Sequence, residues 1–235
     1  RRQRQMCIRD SFKQGATGFA LRELKGKKKA FIITDKPLFG LGYTDKITSV
    51  LEELDIAYQI FSNVNPDPDT ATIENALKIV RNLEPDVIIA LGGGSPMDAA
   101  KIVWLMYEHP EVKFDDLAMR FMDIRKRICE FPDLGAKATM VAIPTTSGTG
   151  SEVTPFAVIT DSETHIKYPI ADYALTPNMA IVDPDLVKSM PRGLAAASGI
   201  DSLTHALEAL VSILATPFTD GIAYEAIHLI FENLE

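Results

Sequence analysis

The stretch DVIIALGGGSPMDAAK, residues 86–101, decides the fold of this chain. Its first part, residues 86–91, has the continuous apolar composition of a strand buried on both faces of a parallel sheet. Three glycines follow, and the next residues predict a helix with Ser95 as its N-cap, Pro96 at its first position and Asp98 in a capping-box position. A strand, a glycine turn and a helix in this order are typical of a phosphate-binding site at a helix N-terminus.

The three glycines, Gly92, Gly93 and Gly94, remove every side chain from this turn. A diphosphate could therefore approach the backbone N–H groups and the positive end of the helix dipole. The spacing differs from the G-x-G-x-x-G fingerprint, so that motif gives no support. We favour a dinucleotide phosphate site, and the alternative is a tight strand-to-helix turn without a ligand.

The rest of the chain continues the alternation of strands and helices. Helical periodicity occupies residues 43–54 and 70–83, between the first strands. The alternation predicts an α/β fold, a Rossmann-like parallel sheet with right-handed crossovers whose ligands bind at the carboxyl ends of the strands. Apolar runs predict strands at residues 30–34, 56–61, 86–91, 138–143, 157–161 and 179–183.

The domain organisation follows from a change of pattern near residue 190. Residues 12–189 are predicted to form the nucleotide-binding α/β domain, whereas residues 190–235 carry only the helical patterns 192–212 and 218–234. Two helices enclose little core, so we expect them to be the first helices of a larger all-helical domain. Residues 1–11, RRQRQMCIRDS, are expected to be a non-native leader and are set aside.

Composition narrows the classes of function. A net charge of −8 argues against a general nucleic-acid binder. The two cysteines, Cys7 and Cys129, form neither a metal motif nor a disulfide framework. No apolar run reaches the roughly 18 residues that a membrane span needs, and no signal-peptide pattern is present. We therefore expect a cytoplasmic protein whose partner is a small molecule, not a nucleic acid or a membrane.

Two further segments fall at the predicted ligand-binding edge of the sheet. Asp35 ends a strand, where a carboxylate can accept a ribose hydroxyl and repel a 2′-phosphate, which favours NAD over NADP; the alternative is a loop-starting aspartate. The segment PTTSGTGSE, residues 144–152, concentrates hydroxyls and glycines that suit phosphate and ribose oxygens. A plain Ser/Thr-rich loop is the alternative there.

Asp201 and His205 lie four residues apart in a helical pattern, which places both on one face. A carboxylate with an imidazole suits Fe²⁺, Zn²⁺ or Mn²⁺. Two ligands do not make a complete site, because a catalytic metal needs three or four protein ligands. From spacing alone, a surface Asp–His pair remains the alternative.

Three segments together resemble the iron-dependent (group III) alcohol dehydrogenases: GGGSPMDAAK (92–101), PTTSGTGSEVT (144–154) and GIDSLTH (199–205). A fourth, FDDLAMRFMDIRKRI (114–128), resembles the alcohol dehydrogenase half of bifunctional aldehyde–alcohol dehydrogenases. The resemblance covers about residues 20–235. It implies a dehydroquinate-synthase-like fold, in which the nucleotide-binding domain precedes an all-helical metal-binding domain.

The resemblance also implies a role for each candidate residue. Asp201 and His205 would be two of four metal ligands, the other two being histidines on later helices, so this chain is expected to be a fragment with an incomplete metal site. The implied cofactors are NAD and Fe²⁺, with Zn²⁺ as an alternative, and no side chain is predicted to be a proton shuttle. The cofactor contacts would be Gly92, Gly93, Gly94, Ser95 and Asp98 on the pyrophosphate, Asp35 on the adenosine ribose, Asn65 near the adenine, and Thr145, Thr146, Thr149 and Lys167 along the nucleotide.

The implied reaction is hydride transfer between NAD(H) and a short-chain primary alcohol or aldehyde, such as ethanol and acetaldehyde. Alternatives are another enzyme of the superfamily (acting on butanol, glycerol or propanediol, or dehydroquinate-synthase-like), a catalytically inactive NAD-binding module, and a mainly structural role. The last rests on the filaments that the bifunctional relatives form, and the resemblance therefore also implies a homo-oligomer or filament.

Overall fold

The computed structural model describes residues 9–114, 117 and 131–234, in which strands alternate with helices as the sequence predicts. The strands are β1 (Arg9–Phe12), β2 (Lys29–Asp35), β3 (Ala57–Val64), β4 (Val87–Gly92), β5 (Thr139–Pro144), β6 (Phe156–Thr160), β7 (Lys167–Ala171) and β8 (Met179–Val182). The helices are α1 (Ala16–Ala20), α2 (Lys36–Gly40), α3 (Asp45–Glu53), α4 (Thr70–Leu83), α5 (Gly94–Glu108), α6 (Arg192–Val211) and α7 (Pro217–Asn233), and short 3₁₀ turns lie at Leu21–Leu24, Tyr173–Leu175 and Pro184–Leu186.

Six of the strands form one parallel sheet in the order β1-β8-β5-β4-β2-β3. Every residue of β4 is buried, because apolar layers cover both of its faces. Ile88 and Ala90 pack in the layer that holds α4 and α5, and Val87, Ile89 and Leu91 pack in the opposite layer with α3. The parallel α/β fold expected from the sequence is therefore confirmed. Strands β6 and β7 form a separate antiparallel pair.

Helix α4 shows why the sequence forms this architecture. Its apolar residues Ile73, Leu77 and Val80 recur at helical spacing and are buried against the sheet layer. The Asp69 carboxylate caps the helix by accepting a hydrogen bond from the Thr72 N–H at 2.8 Å. The helix therefore occupies residues 70–83, the bounds that its periodicity predicts.

Two strands, β1 and β7, are not predicted by the local sequence pattern. β1 pairs in parallel with β8, Arg9 opposite Met179, so part of the segment that the sequence analysis set aside lies in the sheet. β7 contains a proline in the sequence KYPIA and is stabilised by pairing with β6. The segment 114–128, apart from Phe114 and Leu117, lies outside the described residues, as do both cysteines.

The chain divides into two compact units. The first is Arg1–Pro144 with Ser151–Leu186, and the second is Thr145–Gly150 with Val187–Glu235. Residues 145–150 of the segment 144–152, the hydroxyl-rich loop, therefore group with α6 and α7, whereas the change of pattern near residue 190 predicts that they belong to the α/β domain.

Helices α6 and α7 pack against each other within the second unit, yet much of their apolar surface is exposed. None of the helices in the described part of the chain is long and apolar enough to span a bilayer. The most exposed apolar side chains of this unit are Val211, Ile213, Leu214, Phe218, Ile222 and Phe231.

A buried carboxylate at the end of α5 is hydrogen-bonded to the segment of chain that leads into β5. The two oxygens of Glu108 accept hydrogen bonds from the Trp104 Nε1–H and from the backbone N–H groups of residues 135–138, at 2.9–3.2 Å. Five donors converge on one side chain that is 5% exposed. The carboxylate thus supplies the hydrogen-bond acceptor for four consecutive backbone N–H groups.

We expect Glu108→Gln to lower the free energy of unfolding by about 2–4 kcal/mol, because the amide retains one acceptor oxygen and turns an NH₂ group towards backbone donors. Urea unfolding followed by circular dichroism measures the loss. Glu74→Gln, an exposed position on α4, is the matched control and should change stability by less than about 0.5 kcal/mol. Equal effects of the two variants would contradict the anchoring role of Glu108.

Candidate functional site

The glycine turn after β4 requires glycine at its first position. Gly92 has φ +149°, a conformation that residues with a Cβ rarely adopt. A Cβ built on Gly92 would also lie 2.6 Å from the Pro96 Cγ. The backbone of this turn is therefore bare, as the sequence predicts, and the close approach of Pro96 adds a packing reason that the sequence does not reveal.

The helix after this turn begins earlier than predicted. α5 starts at Gly94 with Gly93 as its N-cap, in extended backbone, and no side chain caps it. The predictions of Ser95 as the N-cap and of Asp98 in a capping box are therefore wrong. The physical reason is that Gly93 makes the turn into the helix without a side chain. The positive end of the helix is left without a side-chain cap, an arrangement that fits a diphosphate.

Asp35 and Asn65 follow the two strands next to β4 on one side. β2 pairs with β4, Ile33 opposite Ala90, so Asp35 lies at the same edge of the sheet as the glycine turn. The Asp35 carboxylate accepts a hydrogen bond from the Leu38 N–H at 2.8 Å and caps α2. Burial raises the pKa of Asp35, and this hydrogen bond partly offsets the rise. Asn65 is exposed, one residue after β3 ends.

Lys167 begins β7 and forms an ion pair with Asp67, Nζ to Oδ1 at 2.7 Å. Asp67 lies two residues after Asn65. Two residues further on, Asp69 forms an isolated parallel β-bridge with Thr160 on β6. The structure therefore brings Lys167 to the segment that follows β3. Both charges of the pair are exposed, so the pair itself contributes little to stability.

The Asp98 side chain does not cap α5, and it is hydrogen-bonded instead to Ser151 and to β6. Its Oδ1 accepts a hydrogen bond from the Ser151 hydroxyl at 2.7 Å, and its Oδ2 accepts one from the Val158 N–H at 2.9 Å. Burial raises the pKa of Asp98, while these two bonds and the nearby Lys101 lower it. Contact between Asp98 and the pyrophosphate stays a prediction, and in this structure both oxygens already have protein partners.

The roles of Lys101 and Ser151 were not predicted from the sequence. Lys101 has no exposed surface, and its Nζ donates to the Ser151 hydroxyl at 3.0 Å. A signal was present: a lysine in a helix that is otherwise apolar and buried must find partners inside the protein. Its partners lie about fifty residues later in the chain, so sequence spacing could not identify them.

The second unit places its loop against the middle of α6. The Ser202 hydroxyl donates to the Ser147 carbonyl at 2.5 Å. A Cβ on Gly148 would lie 3.0 Å from both the Ser198 carbonyl oxygen and the Asp201 Oδ2, so glycine permits this approach. Within the loop Thr145 is buried, Thr146 is partly buried and Thr149 is exposed.

Asp201 and His205 lie one turn apart on α6, with the Asp201 Oδ1 3.9 Å from the His205 Nε2. Metal–ligand bonds of about 2.1 Å allow one ion to contact two atoms at that separation, so the pair fits part of a site for Fe²⁺ or Zn²⁺. Both side chains are about half exposed. Among the described residues, no three or more His, Cys, Asp or Glu side chains are grouped to hold a metal ion.

Comparison with known proteins identifies the family. Residues 11–184 match the model of iron-containing alcohol dehydrogenases, and residues 195–235 match the model of the C-terminal region of the same family. The chain belongs to the iron-containing alcohol dehydrogenase family. The family resemblance stated from the sequence is confirmed.

Relatives within this family extend well beyond the chain. The bifunctional aldehyde-alcohol dehydrogenase of Escherichia coli K12 is 56% identical over 225 residues, 95% of this chain and 25% of that protein. The NADPH-dependent butanol dehydrogenase of Clostridium saccharobutylicum is 46% identical over 91% of this chain and 53% of its own length. The crystal structure of a 1,3-propanediol oxidoreductase superposes with a TM-score of 0.86 at 36% identity, covering 96% of this chain and 57% of that one. The chain thus spans about a quarter of the length of the bifunctional relative.

We expect Gly92→Ala to lower the free energy of unfolding by about 2–5 kcal/mol, because it adds both backbone strain and a clash with Pro96. Gly221→Ala is the matched control, since Gly221 lies inside α7 with open space around its Cβ position. That change should stabilise the chain by about 0.5–1 kcal/mol. Urea unfolding distinguishes the two, and a tolerated alanine at position 92 would mean that the turn does not need glycine.

Proposed function

We propose that this chain is the nucleotide-binding part, and the first portion of the metal-binding part, of an NAD-dependent alcohol dehydrogenase. The reaction is hydride transfer between NAD(H) and a short-chain primary alcohol or aldehyde, with ethanol and acetaldehyde as the first candidates. The observation that carries the proposal is the bare glycine turn before an uncapped helix, at the carboxyl edge of a parallel sheet.

The sheet edge supplies the groups that a dinucleotide needs. Backbone N–H groups of the glycine turn suit the pyrophosphate, and the carboxylate of Asp35 suits a ribose hydroxyl. The remaining residues expected to contact the nucleotide keep their sequence-based roles as part of the proposal: Ser95 at the pyrophosphate, Asn65 near the adenine, and Thr145, Thr146, Thr149 and Lys167 along the nucleotide.

Asp201 and His205 are proposed to hold a divalent cation, Fe²⁺ with Zn²⁺ as the alternative, together with ligands that this pair does not supply. When bound, NADH would supply the hydride and the cation would polarise the carbonyl oxygen of the substrate. The chain's own contribution is orientation: the glycine turn and Asp35 fix the cofactor, and α6 presents both ligands on one face.

The alcohol itself has a second candidate. A butanol dehydrogenase and a 1,3-propanediol oxidoreductase are among the relatives, so butanol or 1,3-propanediol is the alternative substrate. Because the proposed metal site needs ligands beyond Asp201 and His205, the test uses a longer protein that carries them: its rates of NADH oxidation with acetaldehyde, butanal and 3-hydroxypropanal, with Fe²⁺ supplied, distinguish these candidates. A homo-oligomer or filament is proposed as the working assembly, and light scattering of the protein measures it.

NADH titration followed by fluorescence tests the nucleotide site, and we expect saturable binding by the folded chain. Ser95→Asp should weaken it at least about ten-fold, because a carboxylate at the second position of α5 repels the diphosphate while it favours the helix. Ala71→Asp is the matched control, since it places the same charge at the second position of α4.

The control variant should bind NADH as the unmodified chain does. Absence of saturable binding by a chain that circular dichroism shows to be folded would contradict the proposal and leave the glycine turn with a structural role only. Equal weakening by both aspartates would indicate a general charge effect and would also count against this site.

Asp35→Asn tests the choice of cofactor. The asparagine keeps an oxygen that can cap α2 but removes the charge that repels a 2′-phosphate, so the affinity for NADPH relative to NADH should rise about ten-fold. Asp45→Asn, an exposed position at the start of α3, is the control and should leave the ratio of the two affinities unchanged. A constant ratio in the Asp35 variant would show that another group selects the cofactor.

A further inference from the structure

Lys101 is a cation with no exposed surface, in the third turn of the helix that begins at the glycine turn. Its Nζ donates three hydrogen bonds, to the Ser151 hydroxyl at 3.0 Å, the Thr154 carbonyl at 2.9 Å and the Phe156 carbonyl at 2.7 Å. An ammonium has three N–H donors, so each one is satisfied. Burying such a charge costs several kcal/mol, which makes a role in packing alone a poor explanation.

All three acceptors of Lys101 belong to one short segment of chain. Asp98, one turn earlier on α5, binds the same segment through the Ser151 hydroxyl and the Val158 N–H. Ser151 joins the two charged groups, because it accepts from Lys101 and donates to Asp98. We call Asp98, Lys101 and residues 151–158 the α5 clamp.

The α5 clamp fixes two pieces of the proposed nucleotide site. Ser151 is the last residue but one of the hydroxyl-rich loop. Phe156 and Val158 lie on β6, whose last residue, Thr160, pairs with Lys167 on β7. The helix that carries the glycine turn is thereby hydrogen-bonded to the end of the loop and to the hairpin that carries Lys167.

We propose that Lys101 is a positioning residue for nucleotide binding, holding residues 151–158 in register with the glycine-turn helix without touching the cofactor. This inference rests on the proposed function, because it assumes that the glycine turn and Lys167 bind the same dinucleotide. Lys101 acts through Ser151, Thr154 and Phe156, and the loss of its three bonds would release the hairpin and the loop end together.

The charge of Lys101 makes the α5 clamp sensitive to pH. Burial lowers the pKa of Lys101 to about 8, while Asp98 on its own helix and Glu152 on the bound segment raise it. A neutral amine has two N–H donors for three acceptors, so the clamp weakens as the proton is lost. The affinity for NADH should therefore fall as pH rises through about 8.

Lys101→Met tests the proposal, because methionine fills a similar volume but donates no hydrogen bond. We expect at least a ten-fold loss of NADH affinity at pH 7, and an affinity that no longer falls between pH 7 and pH 9. Lys78→Met on α4, where the lysine bonds only to the neighbouring Asn75, is the matched control and should behave as the unmodified chain in both respects. An unchanged NADH affinity and pH profile in the Lys101 variant would overturn the proposal.

Hydrogen exchange separates the clamp from the nucleotide site. In the absence of NADH, Lys101→Met should increase amide exchange in residues 151–158, including the Val158 N–H, and leave α4 unaffected. If the unmodified chain binds no NADH, the proposed function fails, whereas the exchange result still decides whether the clamp exists. Unchanged exchange would overturn the clamp.

Ser151→Ala covers the case in which Lys101→Met does not fold. It removes the hydroxyl between Asp98 and Lys101 and keeps the buried charge. We expect a smaller loss of NADH affinity, at least three-fold, with the fall above pH 8 retained. Affinity equal to that of the unmodified chain, or an unmodified chain whose affinity is constant from pH 7 to pH 9, would contradict the proposal.

Discussion

Strand β4 is hydrogen-bonded to β2 on one side and to β5 on the other, and all of its residues are buried. Its backbone N–H and C=O groups therefore depend on these two parallel ladders, because no water reaches them. The parallel direction brings the ends of β2, β4 and β5 to one edge, with Gly92 opposite Pro144. Asp35, the glycine turn and the start of the hydroxyl-rich loop lie at that edge as a consequence of strand pairing, not of any contact among them.

The first turn of helix α5 and the turns that follow it have different roles. Its first turn offers backbone N–H groups and the positive end of a dipole, which suit a phosphate group without a charged side chain. Its next turns carry Asp98 and Lys101, which form hydrogen bonds with the segment 151–158. This separation shows how the proposed phosphate site is compatible with a net charge of −8: the favourable field would come from aligned peptide groups, and the helix's own lysine is hydrogen-bonded inside the protein.

Local pattern predicted those features that depend on neighbours in the chain. α4 combines a capping aspartate with a continuous apolar face, and β4 combines an apolar run with a glycine stop, so both were located from the sequence. The start of α5 was misplaced because Gly93 can turn into the helix without a side-chain cap. Contacts such as Lys101 with Phe156 leave no local pattern, since the partners lie 55 residues apart. The spacing of Asp201 and His205 placed them on one helical face, but it could not show that the loop at Gly148 packs beside Asp201.

The pairing of β1 with β8 has a consequence for how the protein is made. Once Arg9 has been synthesised, it can pair with Met179 only after about 170 further residues have been added. At roughly 5–20 residues per second, β1 has no partner strand for about 10–30 seconds. In the last part of that interval, after β5 has been made and before β8 has, β5 lacks its outer partner, so the apolar strand β5 is a site where a nascent chain could pair with another. The sheet can therefore be completed only after β8 has been synthesised, and the delay is set by the number of residues between β1 and β8.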